Sequence, residues 1–386
     1  MKTILFLLAR YPAFGGIETV TTVLANSLAE QYRIVLCSVK GEKEHELLHR
    51  LDARITFRML PNAGKKERIA ALETILTEYR VELVIYQDSY APNQYLAHYI
   101  KQRGGIKLIV AEHSSPSLSR KWVLQLPQIP WWNLYRRFKL IYFNGKGHLL
   151  TLIRRTRLYT ICDRYVVLSE GLKQEFLDNS FVHDTAKLCA IGNPVSYTPL
   201  PVNLNDKKKQ VLFIGQFVGL KGINRLLRIW AKVQEQATEW SLVLVGDGPL
   251  MPSVREQIQE GRLQRVCTEG FRSNVRDYCA AASVFCLCSL FEGFPMVLPE
   301  AMCSGAVPIG FNSFAALEDI ITDGVSGYSV PAFDEDAFAA RLLQLMQDDA
   351  LRLRMAEAAL ARSAAFNVPA VAARWQTLLD DVLGNA

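Results

Sequence analysis

Val284-Phe285-Cys286-Leu287 leads into Leu290-Phe291-Glu292-Gly293-Phe294-Pro295-Met296-Val297-Leu298-Pro299-Glu300-Ala301-Met302. A short apolar run bounded by turn formers reads as a buried strand. Gly293 and Pro295 make a tight turn after it, and Pro299 is tolerated because it falls in the first turn of a helix, where N–H groups have no intrahelical acceptor. Such a helix terminus faces an anion readily. Glu292 stands on the loop at the strand's C-terminal end and Glu300 just inside the helix, so two carboxylates flank one anion site. An isolated Glu is usually solvated, whereas two framing this turn read as ligands for sugar hydroxyls.

The same alternation of short β-branched runs with stretches of helical period extends in both directions, which predicts parallel sheets covered by helices. In the second half the strands are Gln210 to Gly215, Ser241 to Val245, Val266 to Thr268, Val284 to Leu287, Val307 to Ile309 and Tyr328 to Val330, followed by a helical tail from about Asp334. In the first half they are Thr3 to Leu8, Arg33 to Ser38, Glu82 to Tyr86, Lys107 to Ala111 and Arg164 to Leu168. Val20, Val23, Leu24, Ser27 and Leu28 recur at helical spacing between the first two, which makes a βαβ unit. Periodicity stops around Ile191-Gly192-Asn193-Pro194 and stays absent to Lys209. The expected organisation is a first Rossmann-like domain over 1–190, a linker over 191–209, a second such domain over 210–365 and a final helix over 366–386.

A chain of 386 residues, 50% hydrophobic and 21% charged, is too long for one ordinary core and too apolar for disorder. Met1 to Leu8 carries one Lys and an apolar stretch, but Arg10-Tyr11-Pro12 follows where a signal peptide needs small residues, so this reads as a first core strand. No apolar run reaches the ~18 residues of a spanning helix. Cysteines 37, 162, 189, 267, 279, 286, 288 and 303 lie mostly in apolar segments, as reduced core thiols do, and a cytoplasmic address follows. Cys286-x-Cys288 has no second Cys or His pair close in sequence, which favours packing over a metal.

The net charge of +6 is unevenly spread. Between Glu112 and Asp163 no acidic residue occurs, while Arg120, Lys121, Arg136, Arg137, Lys139, Lys146, Arg154, Arg155 and Arg157 interleave with Trp122, Trp131, Trp132, Tyr135, Phe138, Tyr142 and Phe143. Such a segment suits an anionic lipid surface. A solvated basic face over core aromatics is the competing reading, and no recognition motif supports nucleic acid.

Three more loops sit at strand ends. Phe14-Gly15-Gly16-Ile17-Glu18-Thr19 follows the first strand and opens a helix, so backbone N–H groups can approach a phosphate, although plain turn geometry also explains a Gly pair. It lacks the GxGxxG spacing, which argues against hydride chemistry. Phe213-Ile214-Gly215-Gln216-Phe217, with Lys221-Gly222 beyond, places an ammonium where it can meet a diphosphate; taken alone, Lys221 reads as a surface residue. Ile109-Val110-Ala111-Glu112-His113-Ser114-Ser115-Pro116 sets His113 at the edge where open α/β sheets bind ligands, or as a loop-capping imidazole.

In this order the pieces resemble the retaining GT-B glycosyltransferases that carry an E-x7-E motif, of the family 4-like kind found in bacterial surface polysaccharide and lipopolysaccharide synthesis. Glu292 and Glu300 have the motif's spacing, and Val245-Gly246-Asp247-Gly248-Pro249, Gly270-Phe271-Arg272 and Asp323-Gly324-Val325-Ser326-Gly327 extend the likeness over nearly the whole chain. The resemblance implies two doubly wound α/β domains facing across a cleft, with the last helix returning to the first. It implies that Glu300 binds the donor ribose, Glu292 faces the transferred sugar, and His113 lies beside that sugar. Gly16 and Lys221 would hold the diphosphate, assisted by the N–H groups near Met296 and Val297, the Phe271-Arg272 backbone would pair with the base, and Gly15, Gly215, Gln216 and Phe294 belong to the same donor-binding set. Gln216 departs from the family's Arg, and Arg272 or Arg225 is the candidate to compensate.

The activity implied by this resemblance is transfer of a hexose or N-acetylhexosamine from a nucleotide sugar, UDP-linked by family frequency, to a glycan or lipid-linked acceptor. No metal or other cofactor is expected, and the protein is placed at the inner face of the cytoplasmic membrane. Two other readings share the fold: a nucleotide-sugar 2-epimerase, and a non-catalytic peripheral nucleotide-binding subunit.

Overall fold

The computed structural model describes residues 1–13, 15–42, 44–87, 93–119, 132–197, 201–260 and 263–384. The chain forms two compact units, unit 1 made of Met1–Pro194 with Val368–Ala386, and unit 2 of Val195–Asn367.

Unit 1 holds seven parallel strands, β1 (Thr3–Arg10), β2 (Arg33–Lys40), β3 (Thr56–Met59), β4 (Leu83–Tyr86), β5 (Lys107–Ala111), β6 (Arg164–Val167) and β7 (Leu188–Ala190), in the order β3-β2-β1-β4-β5-β6-β7. The central strands are buried on both faces, which is why they read as continuous apolar runs. The chain walks outward from β1 to β3 and then returns to β4 beside β1, so the order reverses between β1 and β4. Ligands bind at the carboxyl ends of strands at such a reversal. Leu24 and Leu28 of helix Gly16–Leu28 share a core with Ile4, Ile34 and Leu36 and with Val371, Trp375 and Leu379 of helix Val368–Leu383. Each such side chain contributes about 1.5–3 kcal/mol on burial. Polar ties reinforce the helix at its end: the Tyr32 hydroxyl donates to Asp380 at 2.9 Å, and Arg164 pairs with Asp381 at 2.6 Å.

Unit 2 holds six parallel strands, β8 (Lys208–Ile214), β9 (Ser241–Val245), β10 (Val266–Gly270), β11 (Ala282–Leu287), β12 (Val307–Asn312) and β13 (Tyr328–Pro331), in the order β10-β9-β8-β11-β12-β13. Its reversal falls between β8 and β11. Helix Ile223–Val233 turns Ile223, Leu226, Leu227, Trp230 and Val233 inward at 3.6-residue spacing. Both sheets are the doubly wound, Rossmann-like kind predicted from the alternation.

Part of the 191–209 stretch is packed structure of unit 2. Val195 N–H donates to Phe366 O at 2.8 Å, Ser196 and Tyr197 bond to residues of the loop and helix after β11, and β8 starts at Lys208. No helix among the described residues is long and apolar enough to cross a membrane. Cys286 and Cys288 are both buried free thiols, and no group of three or more metal-ligating side chains gathers among the described residues.

Candidate functional site

In unit 2 the loops after β8 and β11 are stitched together at the sheet reversal. The two strands run side by side, with Val211 opposite Val284 and Leu212 opposite Phe285. Gly222 has φ +70, and a Cβ there would stand 1.9 Å from the Cys288 carbonyl oxygen, so only glycine allows the close approach. Leu290 N–H donates to Leu220 O at 2.8 Å. Lys221, in the turn Gly219–Lys221 before the helix, then meets Glu292: Nζ lies 2.6 Å from Oε1, and Ser289 Oγ donates to the same oxygen at 2.7 Å. The Lys221 side chain remains 33% exposed and that of Glu292 12%. This is a screened ion pair at the sheet edge.

Glu300 has different surroundings. It is the fourth residue of helix Val297–Met302, with its N–H bonded to Met296 O at 3.1 Å, and the residue is only 6% exposed. The Ser196 hydroxyl donates to its Oε1 at 2.5 Å, and Tyr197 OH donates to its carbonyl at 2.9 Å. Burial pushes the carboxyl up to about 7, against the pull of the Ser196 hydroxyl and N–H. Ser196 and Tyr197 lie more than a hundred residues from Glu300, in a stretch the sequence marked only as linker.

The remaining unit 2 residues fall around the same sheet edge or pack beside it. Gly215 N–H continues the ladder to Val245 O at 3.0 Å, and Gln216 is exposed. Phe271 is exposed at the end of β10, and Arg272 faces Glu269 at 3.4 Å. Arg225 stacks its guanidinium 4.6 Å from the Phe333 ring centroid. Phe294 is buried edge-on against Phe366, with centroids 5.7 Å apart, so its ring packs the loop. Met296 and Val297 open the short helix, where N–H groups lack an upstream intrahelical acceptor.

In unit 1, Gly15 and Gly16 open helix Gly16–Leu28, and nothing lies within 4 Å of where a Gly16 side chain would begin; Phe14 is outside the described residues. His113 follows β5. The residue is half-buried, yet both ring nitrogens are shut off from solvent and have no hydrogen-bond partner among the described residues. Burial pushes the imidazole down to about 4, so it is neutral near pH 7. Its neighbour Glu112 is buried and forked by Arg155, with Nη2 at 2.7 Å from Oε1 and Nε at 3.1 Å from Oε2, while Tyr165 OH donates at 2.7 Å.

That pair corrects one element of the sequence reading. Arg155 belongs by sequence to the cationic aromatic segment, but the structure buries it in unit 1 because Glu112 needs a bidentate partner there. The rest of helix Leu134–Ile161 keeps the expected character. Leu134, Tyr135, Phe138, Ile141 and Tyr142 are exposed at helical spacing, Phe138 and Tyr142 stack at 6.0 Å, and Arg136, Lys139 and Lys146 are exposed beside them. Arg120, Lys121, Trp122 and Trp131 lie outside the described residues.

Residues 14–197 match the family model described as Glycosyltransferase Family 4, and residues 200–362 match Glycosyl transferases group 1. An uncharacterized glycosyltransferase of Haemophilus influenzae is 23% identical over 98% of this chain and 100% of its own. A GalNAc-alpha-(1->4)-GalNAc-alpha-(1->3)-diNAcBac-PP-undecaprenol alpha-1,4-N-acetyl-D-galactosaminyltransferase of Campylobacter jejuni is 25% identical over 99% of each chain. Among solved structures, Anabaena HepE in complex with UDP superposes with a TM-score of 0.75 at 18% identity, covering 99% of this chain and 100% of that one, which is a likeness of fold. With its two halves matched by those two models and a doubly wound parallel sheet built from each, the chain is a GT-B glycosyltransferase of the family 4-like kind.

Proposed function

We propose that this glycosyltransferase takes a hexose or N-acetylhexosamine from a UDP-sugar and transfers it, with retention, to a lipid-linked or lipopolysaccharide-type acceptor at the inner face of a bacterial membrane. The observation that carries the reading is the Lys221–Glu292 pair at the unit 2 sheet reversal, with Glu300 buried eight residues on. A part-exposed ammonium can exchange its carboxylate for a diphosphate, which frees Glu292 to accept from hydroxyls of the transferred sugar. A buried carboxylate with a single side-chain donor among the described residues, Ser196, suits the vicinal hydroxyls of a ribose, which bring two more. The base pairs with the Phe271-Arg272 backbone just past β10, and the N–H groups of Met296 and Val297 complete the diphosphate contacts of unit 2.

In the chemical step the acceptor hydroxyl oxygen bonds to the anomeric carbon as the bond from that carbon to the diphosphate breaks. The departing phosphate oxygen takes the hydroxyl proton on the same face, which preserves configuration. Lys221 and backbone N–H groups stabilise the charge that collects on the leaving group, so the rate rests on electrostatics that strengthen during bond breaking. Neutral His113 contributes a hydrogen bond rather than a charge. The reading expects no divalent metal, and turnover should survive a chelator.

Unit 1 is the acceptor side in this reading. The apolar, basic stripe of helix Leu134–Ile161 supports a lipid surface as the acceptor's setting, and the Campylobacter relative is named for an undecaprenyl-diphosphate-linked acceptor. A 2-epimerase or a non-catalytic subunit draws no support from relatives named as transferases.

The experiment is incubation with a panel of UDP-, GDP- and ADP-sugars, with and without a lipid-linked glycan extract. Acceptor-dependent release of UDP supports the assignment; an isomerised free sugar, or no turnover of any donor, removes it. Lys221→Ala and Glu292→Ala should each slow transfer about a hundredfold or more, and near-normal turnover in both would take the site elsewhere.

A further inference from the structure

The opposite edge of the unit 2 sheet, at the amino ends of its strands, holds a second cluster of cations. Lys207 and Lys209 stand at the start of β8, which runs seven residues from Lys208 to Ile214. At ~3.3 Å per residue the strand separates them from the Lys221 edge by about 20 Å. With Arg352 of helix Asp349–Ser363 they line a cavity of about 270 Å³, in which Asp349 is the one carboxylate among the described lining residues. Asp349 is already held by Arg352 at 2.6 Å, and Lys209 pairs with the exposed Glu239.

Lys207 is the uncompensated charge. Its ammonium donates to Cys279 O at 2.9 Å and to Ser304 O, carbonyls at the ends of helices Val275–Ala281 and Val297–Met302, and no carboxylate pairs with it among the described residues. An ammonium carries three protons, so one is unspent. Carbonyls at helix ends offset part of a positive charge, but a buried cation ordinarily has a full anion beside it as well. Burial accordingly pushes this ammonium down to about 8 from the ordinary 10.5 of lysine, where a neighbouring carboxylate would hold it up. The chain also makes room for the side chain. Gly305 has φ +76, and a Cβ there would stand 2.6 Å from Leu204 Cδ2 and 3.3 Å from Lys207 Cε, so glycine is what lets the lysine stem lie along the cavity wall.

Three cations facing one carboxylate leave an excess of two positive charges in the cavity. A phosphate monoester carries about −1.5 to −2 near pH 7, which matches that excess. Pockets for drug-sized ligands run about 300–1,000 Å³, so this smaller space suits one phosphate with a small organic group rather than a nucleotide. We propose that the cavity is a binding site for a small phosphate dianion, either orthophosphate or a monoester such as a hexose phosphate, held by Lys207 and Lys209 with Arg352. It is separate from the donor edge, so both can be filled at once.

The test is isothermal titration calorimetry of the whole chain with inorganic phosphate and with glucose 6-phosphate, in the presence of UDP and at about 0.15 M chloride, where exposed charges more than about 8 Å apart are screened. The wild type should bind at least one of them at millimolar concentration or below. Tighter binding of glucose 6-phosphate identifies a monoester as the ligand, and equal or tighter binding of phosphate identifies orthophosphate. Lys207→Met should weaken the binding about tenfold or more, the loss expected when a hydrogen bond to a charged group goes. Leu353→Glu, at an exposed helix position lining the cavity, adds a second carboxylate and should weaken it by a similar factor; it carries the test if Lys207→Met does not fold. Lys221→Ala should leave phosphate affinity unchanged. The site is overturned if neither anion binds the wild type, if either folded cavity variant binds as the wild type does, or if Lys221→Ala abolishes the binding and so places it at the donor edge.

Discussion

The two sheets reverse their strand order in the same way, between their first and fourth strands, yet the edges they present differ in charge. Unit 2 sets an ammonium and two carboxylates, Lys221, Glu292 and Glu300, on the loops and helix there. Unit 1 sets glycines, an amide and a neutral imidazole there, with the Glu18 carboxylate beside Gly15, while Glu112 and Arg155 pair within the core. In the proposed reading the ammonium-bearing edge of unit 2 takes the nucleoside diphosphate, and unit 1 takes the acceptor.

The contrast breaks hardest at the buried pair. Replacing Arg155 with Met leaves Glu112 buried with Tyr165 but no counter-charge, and removing one partner of such a pair costs about 3–5 kcal/mol. Denaturant unfolding should show that loss in the transition of unit 1 and leave UDP binding by unit 2 untouched. An Arg155→Met protein as stable as the wild type would mean the charges of unit 1 are not balanced in this way.

A second contrast is in acid response. Glu300 sits at about 7 in the folded protein against 4.5 for a free carboxyl, so its protonated form stabilises unit 2 fully below about 4.5, and that contribution is lost as pH rises through 7. His113 sits at about 4 against 6.5, so its neutral form stabilises unit 1 fully above about 6.5, and that contribution is lost as pH falls through 4. Each difference corresponds to about 3 kcal/mol. Calorimetry from pH 4 to 8 should show Glu300→Gln stabilised at pH 8 with a flatter profile but impaired in UDP binding, and His113→Gln less sensitive to acid. Variants whose pH slopes equal the wild type's would remove the contrast.

The smallest effect expected concerns the exposed apolar stripe of helix Leu134–Ile161. Changing Phe138 and Tyr142 to Ser together should weaken flotation with vesicles containing anionic lipid several-fold, since each loses exposed aromatic area that a bilayer interface would take up. Donor binding should not change. Equal flotation with and without anionic lipid would detach this helix from any membrane role.

Much of this was legible in the sequence because parallel strands buried on both faces announce themselves as apolar runs, and ligand groups gather just past their carboxyl ends. Glu292, Glu300, Lys221 and His113 could be singled out for that reason. β3 and β7 could not: they have four and three residues at sheet edges, and the side chains of Thr56–Met59 are partly exposed, so neither makes a run. The partnerships were also invisible. Ser196 with Glu300, Thr21 with Gln87 and Arg155 with Glu112 are separated by 104, 66 and 43 positions, and only the fold brings them together. Arg155 shows the limit best, because composition assigns it to a surface and packing removes it from one.

Helix Val368–Leu383 returns to unit 1 after the chain has built unit 2, so unit 1 is made of two segments, whereas unit 2 is one continuous segment. As the ribosome delivers the chain, every residue of unit 2 has emerged before Val371, Trp375 and Leu379 reach the core they complete. The usual order, in which the N-terminal domain finishes first, is therefore inverted. A nascent chain that stops at Asn367 would hold a complete unit 2 and a unit 1 with a raw apolar flank, the natural target for a chaperone during synthesis.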